Sequence, residues 1–124
     1  MPLVNAFRDY LVTKYTAGTG TNYDNANTYL GIGNGTTAFA LGQTDLQGAS
    51  KLRKAMDATY PQVAANVVTY RATFGTSDAN YAWEEWGIFN ASTAGTMMNR
   101  VVASNGTKAG TETKVVTVTI TLSV

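Results

Sequence analysis

Residues 112–124 read ETKVVTVTITLSV. From Lys114 the even positions are Lys114, Val116, Val118, Ile120, Leu122 and Val124. The odd positions from Thr113 are Thr113, Val115, Thr117, Thr119, Thr121 and Ser123. Five of the six even positions are aliphatic and five of the six odd ones carry a hydroxyl. A period of two means a strand with one face on a core and one in water. The stretch has no Gly or Pro, and its β-branched side chains suit a pleated surface. Burying each of Val118, Ile120 and Leu122 contributes roughly 1.5–3 kcal/mol. So long a strand requires earlier segments as partners.

Working outward, 105–110 (NGTKAG) reads as an Asn-Gly hairpin loop into this strand, and 96–104 (TMMNRVVAS) as the strand before it. WEEWGIF (83–89) is a further strand, closed by Asn90 and the small residues ASTAG. NVVTYRATF (66–74) alternates Val68, Tyr70, Ala72 and Phe74 against Val67, Thr69, Arg71 and Thr73. Residues 51–60 combine helix-forming residues with an alternation of Leu52, Lys54, Met56, Ala58 and Tyr60; they read as a strand, in a hairpin with 66–74. TYLGIG (28–33) is a short strand ending in the turn Asn34-Gly35. Short strands and turn signals at this spacing predict a mainly β chain. The expected fold is an antiparallel sandwich or open barrel, jelly-roll-like, over residues 28–124.

Helical periodicity is confined to residues 2–15. Leu3, Phe7, Tyr10 and Leu11 make an i, i+4, i+7, i+8 stripe, and Pro2 suits a first turn. So short a helix is marginal alone, so its stripe needs cover from its own sheet or from another subunit. The 124 residues form one domain, with no linker or repeat.

Composition removes much chemistry. There is no Cys and no His, hence no thiolate, no imidazole base and no Cys or His metal ligand. Nine basic and eight acidic residues, spread evenly, leave a net charge of +1 and no nucleic-acid footprint. No apolar run is long enough to span a bilayer and no signal peptide opens the chain. GIGNG (31–35) fits neither phosphate-loop pattern and reads as a strand end with a tight turn. Glu84 and Glu85 point to opposite faces of a strand and form no facing acid–base pair; one of them is expected buried and paired with Arg100 or Arg71. No cofactor or metal is expected, and no enzymatic activity. Trp83 and Trp86, with Tyr81, are candidate glycan-contacting aromatics, the other role for such side chains being core and interface packing.

Three stretches carry a resemblance. VNAFRDYLV (4–12), YLGIGNGTTAFALGQTDL (29–46) and WEEWGIFNASTAGTMMNR (83–100) are similar, in pattern and order, to small structural proteins of tailed-bacteriophage virions. RKAMDAT (53–59) and VVTYRATF (67–74) follow in the same order. Trp86 departs from the pattern, which has a small residue between Glu85 and Gly87, and Ala38 stands in a region that carries Pro. The resemblance implies a virion component assembled in the bacterial cytoplasm: a capsid decoration or cement protein bridging subunits of the major capsid protein. A homo-oligomer, as a trimer, is the expected state. Leu3, Phe7, Tyr10, Leu11 and Tyr23 are the expected interface residues. The alternative is a receptor- or glycan-binding module of a tail fibre or tail tip, using Trp83, Trp86 and Tyr81.

Overall fold

A computed structural model describes residues 3–123. One helix, α1 (Asn5–Ala17), precedes seven strands: β1 (Tyr29–Gly33), β2 (Lys51–Ala55), β3 (Gln62–Ala64), β4 (Val67–Phe74), β5 (Glu85–Phe89), β6 (Val101–Val102) and β7 (Lys114–Thr121). They form two antiparallel sheets, ordered β2-β1-β5-β6 and β3-β4-β7. The chain is mainly β, a sandwich with a single N-terminal helix, as the alternation implies.

The last strand follows its periodicity as far as Ile120, while Leu122, expected to be buried, lies beyond the strand and is exposed. Val116 and Val118 are half-buried and Ile120 is buried, while Val115, Thr117, Thr119 and Thr121 face solvent. Its partner is β4, along eight residues from Val67 opposite Thr121 to Phe74 opposite Lys114. The expected hairpin with the preceding strand is not formed. The chain does not turn at Asn105-Gly106 but runs on from β6, antiparallel to residues 81–84. It bulges where Asn105 and Gly106 (φ +78°) both oppose Trp83: Asn105 N–H donates to Trp83 C=O at 2.7 Å and Trp83 N–H to Gly106 C=O at 2.8 Å. Lys108 N–H donates to Tyr81 C=O, and the Lys108 amine is buried against Asn80 Oδ1 at 2.7 Å. The Asn-Gly pair is therefore spent on a bulge, the chain turns only at residues 110–111, and β7 leaves for the other sheet.

The hairpin expected between 51–60 and 66–74 is also replaced. β2 pairs with β1, and β3 takes the place beside β4. Beyond Ala55 the chain crosses between sheets, with Asp57 N–H donating to Arg71 C=O and the Asp57 carboxylate accepting from Arg71 Nε and Thr73 Oγ1. The strand expected over 96–104 is regular only at Val101–Val102. Met97 to Arg100 are buried on every side, pinned by Met98 N–H to Ile88 C=O at 2.7 Å and Val4 N–H to Met98 C=O.

The helix starts at Asn5, later than expected. Val4 precedes it in extended conformation and Leu3 bridges to Asn99, so Leu3 lies off the helical stripe; Pro2 and Val124 lie outside the described residues. Gly18, at φ +67°, ends the helix with its N–H on Lys14 C=O, a left-handed cap. Val4 and Phe7 belong to the same buried cluster as Leu30, Ile32, Phe74, Ile88 and Ile120. The chain's own sheets therefore cover the first half of the helix, and this segment is not a free arm.

Sheet β2-β1-β5-β6 is covered on both faces. Leu30, Ile32 and Ile88 look toward the other sheet, while Gly31, Gly33, Glu85 and Phe89 look outward under the connection 34–50, where Leu46 is buried. The strand glycines make this cover close. A Cβ on Gly87 would stand 2.5 Å from the Asn99 carbonyl oxygen, and one on Gly31 would press into the Phe89 ring and Leu46.

Candidate functional site

The most chemically developed cluster lies beneath that cover. Glu85 and Arg100 have fully buried side chains, with Nε and Oε1 2.7 Å apart. Gln47 N–H also donates to Oε1 at 2.8 Å; Gly35 and Gly48 N–H groups donate to Oε2 at 2.9 and 2.7 Å. Arg100 Nη1 donates to Gln43 Oε1, and Nη2 has no partner among the described residues. This is the buried carboxylate–arginine pair the sequence pointed to. GIGNG does not end in the expected tight turn: Asn34 N–H donates to Ser50 C=O, continuing the β1–β2 pairing. The Gly35 N–H joins those of Gln47 and Gly48 around an anion that the protein itself supplies. No room is left for a phosphate, since a Cβ on Gly35 would already strike the carboxylate. The cluster holds the long connection onto the sheet. Gln43, Gln47 and Gly48 are members that local sequence did not mark.

Carboxylates elsewhere are spent in similar ways. Asp45 accepts from Lys51 Nζ at 2.8 Å and Arg53 Nη2 at 3.3 Å. Burial pushes its carboxyl up, but hydrogen bonds from Lys51, the Leu46 N–H and Arg53 outweigh this and hold it below the usual value. Arg53 also stacks 3.6 Å over the Phe89 ring and donates to the Ala91 and Ala94 carbonyls. The charged groups lining the cleft of about 340 Å³ between Asp45, Arg53 and Ser92–Ala94 are thus already paired. Among the described residues, no set of three Asp or Glu side chains gathers to hold a metal ion, and no helix is long and apolar enough to cross a membrane.

The five expected interface residues separate. Phe7 is buried, and stacks on Tyr10 and meets Tyr23 edge-on, with ring centroids 5.7 and 5.4 Å apart. Tyr23 is not an exposed loop aromatic: its hydroxyl donates to Thr96 C=O at 2.6 Å, and burial pushes its phenol far up. Tyr10 donates to Thr21 C=O, its phenol raised first by burial and then by the Asp24 charge. Only Leu11 stays open, 38% exposed, in a strip with Val12 at 59% and Tyr15 at 91%. Beside it a groove of about 220 Å³ runs between α1 and the three-stranded sheet, floored by Tyr70, Met98 and Ile120 and flanked by Leu11 and Leu122.

The aromatic platform is not assembled either. Trp83 is buried, edge-on to Phe74, with its indole N–H on Ala79 C=O at 2.9 Å. Tyr81 donates to Ile32 C=O at 2.8 Å, and burial, aided by the Glu85 charge, pushes its phenol up to about 12. Tyr81 and Trp86 are both half-buried, and Trp86 borders a cleft of about 330 Å³ beside β7. The sequence matches no protein-family model, and no curated protein is similar to it.

Proposed function

We propose that this protein is a structural component of a tailed-bacteriophage virion, a decoration or cement protein that bridges neighbouring subunits of the major capsid protein. The order of motifs along the chain supports the virion reading. The observation that carries the docking role is the strip Leu11, Val12 and Tyr15, apolar side chains left in water on a helix whose first half is locked into the core. An exposed apolar strip on an anchored element is the usual form of a protein-docking surface. Leu11 and Tyr15 follow Phe7 at i+4 and i+8, so the functional part of α1 is the exposed continuation of the stripe that Phe7 begins. Each contact is modest, and repetition over a symmetric shell, or within a trimer of this chain, multiplies it.

Quantitative mass spectrometry of purified particles tests this reading. A copy number equal to that of the coat protein, or a simple fraction of it, is expected. A handful of copies per particle would move the protein to the tail.

A further inference from the structure

β7 is an edge strand with one side unused. Leu122 N–H donates to Asn66 C=O at 2.9 Å. Antiparallel ladders alternate, so the even-numbered residues of β7 exchange hydrogen bonds with β4. Val115, Thr117, Thr119 and Thr121 therefore turn their main-chain N–H and C=O groups away from the sheet. No described strand pairs with that edge. The devices that blunt free edges are missing as well: β7 has no Pro or Gly and no charge beyond Lys114.

The space beside this edge has a definite shape. β4 lies against β1 and β2, and the smaller sheet has one strand fewer than the larger. The cleft of about 330 Å³ is found beside β7, between Trp83, Trp86 and Ile32 on one side and Lys114–Val118 on the other.

We propose that β7 accepts one extended strand of a partner polypeptide as the fourth strand of the smaller sheet. Free, alternating main-chain groups select a β-strand over any other occupant. The cleft selects aliphatic residues at alternate positions, covering Trp86. Lys114, whose amine lies 5.1 Å from the Trp83 ring centre, favours an acidic residue at the end beside it. A second copy paired antiparallel by β7 would bring residues 120–122 beside Lys114, with no acidic side chain among them, so the charge at this end favours a partner strand over a second copy. This inference is independent of the helix strip.

The probe is a synthetic peptide with the sequence of residues 115–122 followed by a pair of glutamates. Paired antiparallel about Val118, it sets Val116 against Ile120 on the cleft side and Thr117 against Thr119 on the solvent side. Both tryptophans of the chain line the cleft, so intrinsic fluorescence reads occupancy. Saturable binding is expected, with the amides of Val115, Thr117, Thr119 and Thr121 gaining at least about tenfold protection from hydrogen exchange. Thr119→Pro removes an outward N–H and no bond to β4, so it should abolish binding at unchanged melting temperature. The same peptide N-methylated at alternate residues should fail against the unmodified protein, an arm that stands even if the proline variant does not fold. Absence of saturable binding, or equal binding of the N-methylated peptide, overturns the proposal. Concentration-dependent dimerisation of the free protein, lost in Thr119→Pro, overturns it too by making a second copy the occupant.

Discussion

Glu85 shows how one side chain can organise a connection. Its carboxylate is shielded from water and accepts from Arg100 and from the amides of Gly35, Gln47 and Gly48. Breaking a buried pair by removing one partner costs about 3–5 kcal/mol. Glu85→Gln should lie at the upper end, because its amide turns a donor toward N–H donors. Arg100→Met should lie at the lower end, since three amides still satisfy the carboxylate. Apolar replacement of a whole buried pair is often neutral. Here Glu85→Leu with Arg100→Met should still lose several kcal/mol, since each orphaned amide costs about 1–3 kcal/mol. Urea midpoints of the three variants check this order. That one of the two adjacent glutamates would be buried and paired with Arg100 or Arg71 was legible from strand parity; which one was not, and the amide donors of Glu85 come from 37 to 50 residues away and left no local signal. Phenols make a second residue-scale prediction. Burial pushes Tyr70 up to about 12, with a smaller contribution from Tyr10, and Tyr81 rises similarly, from an ordinary value of 10. Between these values the unfolded chain has lost protons that the folded one keeps. The stabilisation is complete below pH 10 and drains as pH rises to about 12, about 2–3 kcal/mol for Tyr70 alone. Phenolate absorbance should rise in two phases, the second coinciding with loss of the circular dichroism signal.

Elements whose signal is local were readable, and their partners were not. The alternation of β7 and β4 stated which residues face inward, because period two is a property of each strand alone. It did not state that the two pair, since the contact joins segments far apart in sequence. Asn105-Gly106 was read as a hairpin turn and is a bulge, because an Asn-Gly pair states only that the backbone can take a positive φ, here +78° at Gly106, and not what that is used for. Tyr23 was misplaced for a similar reason: a tyrosine in a polar loop looks exposed until Phe7 and Tyr10 arrive from elsewhere to cover it. In the helix, the stripe located an apolar face but could not divide it into a buried part and an open part. The structure makes that division testable. Phe7→Ala should cost about 3–5 kcal/mol, the range for a buried aromatic. Leu11→Ala and Val12→Ala should stay within about 0.5 kcal/mol, as exposed positions without special roles do. Thermal melts of the single variants give both figures.

At the scale of the molecule, α1 and the two sheets share one core, so the helix cannot be removed to ask what it binds. Val4 and Phe7 are buried with strand residues of both sheets, and the Phe7–Tyr10–Tyr23 cluster ties the helix to the loop before β1. A chain lacking residues 3–17 should lose its cooperative unfolding transition, and with it any ability to bind particles. Such a loss says nothing about docking. The informative variant is full-length Leu11→Asp, Val12→Asp, Tyr15→Asp, which charges the exposed strip and leaves every buried contact in place. It should melt within a few degrees of the parent, because surface substitutions cost little. If the strip is the docking face, occupancy on particles should fall at least about tenfold, a loss of about 1.4 kcal/mol per site before avidity amplifies it. Unchanged occupancy by a folded triple variant would remove the helix from the interface and leave the β7 edge as the surface to test next. Loss of occupancy with a retained melting temperature would separate the two faces cleanly. The helix would then hold the protein to its shell, while the sheet edge on the far side of the groove remains free for a second partner.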